Sequence, residues 1–330
     1  MTKVFHGGRL DAAIAEFGGS REDWLDLSTG INPVPWPVGE ISNLAWQALP
    51  DERMERDLIA AARDYYRVPA AMEIVAANGT QALIELLPEL TGINDVAIVS
   101  PTYGEHAHCW KKHGRNVVPV GDIDGAIKSG CKAAVVVNPN NPDCRIHSVG
   151  ELKKLASRTE ILIVDEAFCD SEPEHSFVSQ MPENVIVLKS FGKFFGLAGV
   201  RLGFAVCKTE WVGYLKEKIG PWAVSGPALE IGAYALKDSV WIEHTKLNLR
   251  KMAASLSELL SSLGFQVDGV NPLFVYASHE KAEAIYEFLA SQKILVRPFP
   301  ENPKYLRLGL PANETGLQRL ETALEDCPHV

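Results

Sequence analysis

Residues 190–203, SFGKFFGLAGVRLG, continue the apolar run VIVLK of residues 185–189 and set one lysine, Lys193, among phenylalanines and glycines. The run before it reads as a buried strand, so the Gly192-Lys193 step falls where a strand ends and the chain turns. That place can present an amine for carbonyl chemistry, because an apolar, glycine-rich surround with a cation nearby favours the neutral form. Phe191, Phe194, Phe195 and Leu197 supply the apolar surround. Ser190, three residues before the lysine, and Arg201, eight after it, add a hydroxyl and a planar cation suited to a phosphate. An aldehyde bearing a phosphate meets all three needs. A single lysine at a strand end is ordinarily a solvated charge; the serine, the arginine and the glycines at these spacings distinguish this one.

Working outward, short apolar runs (VAIVS, NVVPV, AAVVVN, ILIVDEA, LGFAVC) alternate with helix-like segments. This alternation predicts an α/β fold with a mostly parallel sheet covered on both faces. In such sheets ligands sit beyond the carboxyl ends of the strands, and the distinctive residues fall there. EIVAANGTQALIELL reads strand, tight turn, helix, and the turn Gly79-Thr80-Gln81 leaves backbone N–H groups free to meet a phosphate. Tyr103 follows VAIVS and Asn141 follows AAVVVN. Asp165 ends ILIVD, where an acidic residue is poorly solvated unless a cation meets it.

The chain has 330 residues, 46% of them hydrophobic, and a net charge of −10 without a basic tract. Nucleic acid and anionic membrane surfaces are therefore poor partners. No apolar run is long enough to span a bilayer, and MTKVFHGGRLDAA lacks the apolar core of a signal peptide, so a cytoplasmic protein is expected. The 6 cysteines form no Cys-x-x-Cys pair, in keeping with reduced thiols. Glu105, His106, His108, Cys109 and His113 resemble metal ligands in composition. They lie on a predicted helix, however, where His106 and His108 point apart, and no metal is expected. The glycines of GLAGVRLG lack the spacing of a dinucleotide fingerprint.

At the N-terminus His6 stands beside two glycines, and Gly30, Asn32 and Pro33 form a second turn. Residues 51–66 are amphipathic and helical. From residue 226 the pattern predicts one long helix linking two domains, then a small α+β domain whose last strands carry Arg297 and Arg307. The expected organisation is an arm over 1–30 associated with the small domain, a large domain over 31–225, and the linking helix with the small domain over 226–330.

The lysine segment resembles that of the class I/II aminotransferases, a family of fold-type I pyridoxal-phosphate (PLP) enzymes in which this lysine carries the cofactor covalently. The resemblance extends over nearly the whole chain and implies the roles of individual positions. Gly79, Thr80, Gln81, Ser190 and Arg201 would hold the cofactor phosphate. Tyr103 would stack on the ring, Asn141 would bond its phenolic oxygen, and Asp165 would pair with its pyridine nitrogen. Arg307, in YLRLG, would pair with the substrate carboxylate. Where many relatives have tyrosine this chain has Phe168, so one bond to the phenolic oxygen is missing. Where relatives tend to carry a Tyr-Pro reaching the neighbouring subunit, this chain has Leu49-Pro50.

HGG with STGINP, the DEAF sequence and PWAVSGPAL resemble the threonine-phosphate decarboxylase branch of cobalamin biosynthesis, near the histidinol-phosphate aminotransferases. That resemblance implies decarboxylation of L-threonine O-3-phosphate, a homodimer, and other cobalamin-biosynthesis enzymes as possible partners. A phosphorylated amino acid brings two anionic groups. His6, Asn32 and Arg297 are candidates for its phosphate, with Arg307 for its carboxylate and Asn141 also lining the substrate. The alternatives are transamination of the histidinol-phosphate type and a PLP-fold assembly partner without turnover. Intact Lys193 and Asp165 argue against the latter.

Overall fold

In the computed structural model, which describes residues 7–330, the apolar runs become strands in the expected order. The chain begins with α1 (Leu10–Phe17) and β1 (Leu25–Asp26), then α2 (Asn43–Gln47) and α3 (Glu52–Tyr66). The alternating part follows as β2 (Glu73–Ala77), α4 (Thr80–Thr91), β3 (Asp95–Val99), α5 (Gly104–Lys112) and β4 (Asn116–Val120). It continues through α6 (Ile123–Ser129), β5 (Ala133–Val137), α7 (Val149–Ala156), β6 (Ile161–Asp165), β7 (Val185–Ser190), α8 (Phe191–Phe194) and β8 (Gly203–Cys207). These seven strands, β2 to β8, form one sheet in the order β2-β8-β7-β6-β5-β3-β4. Strands β3 to β7 pair in parallel, while β8 runs antiparallel to both its neighbours. Every residue of β5 and β6 is buried, as continuous Val/Ile/Leu/Ala runs covered on both faces require.

The helices α9 (Thr209–Ile219) and α10 (Gly226–Ala235) come next, then α11 (Ser239–Ser262). One long helix was expected from residue 226, and the structure divides it in two. Asp238 supplies the reason: its carboxylate accepts from the Trp241 backbone N–H at 3.1 Å and from the Trp36 indole at 3.1 Å. It thus starts a new helix instead of continuing the old one.

Two compact units result. One comprises Pro35–Asn141 and Arg145–Glu243; the other holds the segment up to Val34, Pro142–Cys144 and His244–Val330. The expected boundary at residue 226 therefore moves to 243. Helix α10 belongs with the large unit because Gly232 has no room for a side chain: a Cβ there would stand 2.6 Å from Leu202 and 2.7 Å from Leu58. Such close backbone approach welds α10 onto α3.

In the smaller unit β9 (Gln266–Asn271), β10 (Phe274–Ser278), α12 (Ala282–Ser291), β11 (Ile294–Leu295), β12 (Arg297–Pro298), β13 (Tyr305–Gly309) and α13 (Glu314–Glu325) follow in sequence. Its antiparallel sheet has the order β12-β13-β10-β9, and β1 pairs in parallel with β11. Leu10, Ala13, Trp24, Ala290 and Leu295 form a cluster that ties α1 into this unit. No helix among the described residues is long and apolar enough to cross a membrane.

Candidate active site

Lys193 lies in the single turn α8, directly after β7. Phe191, Phe194 and Phe195 beside it are buried, Phe191 stacks on Phe195 at 4.5 Å, and the lysine Nζ stands 5.6 Å from the centroid of the buried Phe168 ring. The amine thus has the apolar surround that the sequence suggested.

Strand pairing assembles an anion cradle next to it. Gly203 is the register partner of Ser190 on one side and of Ala77 on the other, so the start of β8 lies between the end of β7 and the turn into α4. A Cβ on Gly203 would approach the Thr80 backbone nitrogen to 2.5 Å, and one on Gly79 would approach Arg201 Nη2 to 2.7 Å. Gly203 is required by its contact with backbone, and Gly79 by its φ of 81°. The result places the Arg201 guanidinium over the N-terminus of α4. No side chain of the N-cap residue Gly79 occupies that helix end. Unpaired N–H groups, the helix dipole and a guanidinium together suit a phosphate. The Gln81 side chain is engaged elsewhere, donating to Glu105 at 3.2 Å and accepting from the Tyr103 hydroxyl at 3.4 Å.

The turn after β5 is built by two of its three asparagines. Asn138 bonds the His147 backbone in both directions, and Asn140 accepts from Thr102 at 2.6 Å and donates to Pro101 O at 2.8 Å. Asn141 is buried at the turn's end. Asp165 closes β6, also buried; its Oδ1 accepts from Ala167 N at 3.0 Å, and its Oδ2 lies 2.8 Å from His106 Nε2. The His106 ring is completely buried and its Nδ1 has no hydrogen-bond partner among the described residues. With its N–H on Nε2 the ring donates to the aspartate and holds the carboxylate in place.

His106 is the residue that sequence reasoning missed. A signal existed: it follows Tyr103, the N-cap residue of α5, by three positions, and the two rings meet edge to face at 6.1 Å. Of the other residues that resembled metal ligands, Glu105 and Cys109 gather with Glu85, their ligand atoms all within 4.8 Å of one another. His113 bonds the Cys109 carbonyl, and Glu85, near Cys109, is held by Lys112 at 2.8 Å. Burial, reinforced by Glu85, pushes the Cys109 thiol up to about 12.

The smaller unit carries the arginines. Arg307 on β13 and Arg297 on β12 are direct cross-strand partners. Arg307 is buried, donates to Ser28 O at 2.9 Å, and lies 4.9 Å from the Phe274 ring centroid. Burial, and then Arg297, lowers its pKa well below the ordinary arginine value. Like charges directly opposite one another repel, and burying one of them costs more; an anion offsets both. Arg297 also lines a cavity of about 120 Å³ with Gly8, Arg9, Ser28 and Tyr286. Asn32 is buried, with its Oδ1 accepting from Val34 N at 2.9 Å, so its carbonyl builds the turn. The sequence candidate His6 lies outside the described residues.

The family model for aminotransferase class I and II matches residues 45–324. The chain belongs to that family. It is 40% identical over 328 residues to a threonine-phosphate decarboxylase of Sinorhizobium, covering 97% of each chain. A threonine-phosphate decarboxylase of Pseudomonas aeruginosa is also 40% identical, covering 97% of this chain and 96% of the relative. A histidinol-phosphate aminotransferase of Desulfitobacterium hafniense is 28% identical, over 92% of this chain and 91% of the relative. Among solved structures, the histidinol-phosphate aminotransferase of Sinorhizobium meliloti in complex with pyridoxal-5'-phosphate superposes with a TM-score of 0.82. It is 18% identical and covers 99% of this chain and 95% of its own. That likeness establishes the shared α/β fold.

Proposed function

We propose that this protein binds PLP and decarboxylates L-threonine O-3-phosphate to (R)-1-aminopropan-2-ol O-phosphate in cobalamin biosynthesis. The observation that carries the reading is the 40% identity over nearly the full length of two threonine-phosphate decarboxylases. The cradle that a Cβ on Gly79 would fill, and a buried aspartate fixed by the His106 ring, fit the phosphate and the ring nitrogen of the cofactor.

When bound, PLP supplies an electron sink that makes the bonds at the substrate Cα labile. The chain's own residues do the rest. Asp165 holds a cationic ring nitrogen, and Asn141 orients the phenolic side. Ser190, Arg201 and the N-terminus of α4 anchor the phosphate. Lys193 carries the cofactor and is the group that would move a proton at Cα once carbon dioxide has left. Arg307 receives the substrate carboxylate, and Arg297, with Asn32 and His6, its phosphate.

An assay with threonine phosphate and no keto acid is expected to release carbon dioxide. No release, together with conversion of the cofactor to its amine form by histidinol phosphate, would instead favour an aminotransferase, which the 28% relative represents. Replacing Arg307 by methionine is expected to raise KM about a hundredfold, since charge-assisted bonds to a carboxylate contribute about 1.5–3 kcal/mol each. A KM within threefold of the original would remove Arg307 from carboxylate binding. Leu44, Trp46, Leu49, Trp222 and Tyr234 leave apolar side chains exposed on the large unit, which supports a homodimer.

A further inference from the structure

The strand ends that bear Asp165 and Ser190 are also joined on their opposite side. Successive side chains of a strand face opposite ways, so Glu166 points away from the side Asp165 uses, and Lys189 away from that of Ser190. Glu166 N donates to Leu188 O at 2.9 Å, which extends the β6–β7 register by one residue beyond Asp165↔Leu188 and sets Glu166 next to Lys189. Lys189 Nζ lies 2.8 Å from Glu166 Oε2 and 3.3 Å from Asp170 Oδ1. The three residues are 2%, 0% and 3% exposed. The Glu166 carboxylate also accepts from Ser176 Oγ and from Phe177 N, each at 2.6 Å. The Tyr66 hydroxyl donates to Asp170 at 3.3 Å.

A buried ion pair of this kind gives little net stability, because well-packed apolar residues of the same volume serve as well or better. What it imposes is one geometry, since a charge removed from water tolerates few alternative partners. Here the geometry being fixed is that of two strand ends whose other faces point at the cofactor. We propose that the Lys189–Glu166 pair is a positioning clamp, holding Asp165 at a set distance from Ser190 and Lys193 so that one ligand can span ring nitrogen, aldehyde and phosphate contacts at once. The clamp rests on the PLP reading above.

The test titrates PLP into the full-length apo protein and follows absorbance and the induced circular dichroism of the bound cofactor, with urea unfolding measured in parallel. The double variant Glu166→Gln with Lys189→Met removes both charges at nearly constant volume. Asp170, whose carboxyl burial already pushes above the ordinary range, can take up a proton in place of its lost cation. A clamp predicts an unfolding midpoint close to the original. It also predicts a PLP dissociation constant raised about tenfold, comparable to the loss of one hydrogen bond to the ligand, and a diminished cofactor dichroism. Original affinity and dichroism in the variant would reduce the pair to a structural one and overturn the proposal. If the double variant does not fold, Ser176→Ala withdraws one donor from Glu166. Its PLP affinity is expected to fall about threefold, and an unchanged affinity would overturn the proposal equally. An original protein that binds no PLP would remove the cofactor reading itself, a result distinct from a variant that binds as well as the original.

Discussion

Replacing Lys193 by alanine is expected to lower turnover of threonine phosphate by about ten-thousandfold, the upper range for losing a positioned acid–base group. The protein should stay folded. Lys193 sits in a one-turn helix whose rigidity comes from Phe191, Phe194 and Phe195, all buried, with Phe195 stacked on Trp241 at 5.6 Å. Removing an amine from among such rings leaves that packing intact, so the unfolding free energy should change by less than about 1 kcal/mol. Borohydride reduction followed by peptide mapping gives a second, direct readout. The original chain should carry a pyridoxyl group on the FGKFF peptide, and the variant should carry none. A label on any other lysine, or a variant with more than a hundredth of the original activity, would refute the assignment.

The second large effect concerns Asp165. Changing it to asparagine keeps the shape and an acceptor for His106 Nε2, 2.8 Å away, and removes only the negative charge. A ring nitrogen held by a neutral amide is no longer kept protonated, and the electron sink weakens. Preorganised electrostatic partners of this kind contribute about 10²–10³ in kcat, and a loss in that range is expected, with KM changing far less. His106→Phe should show a smaller loss in the same direction, because the carboxylate keeps its charge and loses its orientation. If kcat in the asparagine variant stays within threefold of the original, the aspartate is a structural strand-end acid.

Much of this protein was legible in its sequence. The strand, turn and helix around Gly79, the runs that became β3 to β8, and the lysine between two phenylalanines are all local patterns of apolar period and turn chemistry. Such patterns act within a few residues, and the structure keeps them. The break at Asp238 was also local, yet it was hidden because its capping carboxylate serves Trp36, some 202 positions distant, as well as Trp241. The domain boundary was misjudged for a similar reason: contacts with residues distant in the chain, Gly232 against Leu58 and Leu202 and Glu230 with Ser42, assign α10 to the large unit.

The sequence by itself determined which residue types stand at the strand ends: an amine in apolar company, an acid after a buried run, a glycine turn before a helix, arginines in the last strands. Only the tertiary structure decided who meets whom. Sheet order and register bring Gly203 against Thr80, His106 onto Asp165 across 59 positions, Glu166 beside Lys189, and Arg297 opposite Arg307. Those meetings depend on strand pairing and helix packing between separate elements, and the hydrophobic period along any one strand specifies which face is buried but not which neighbour it faces.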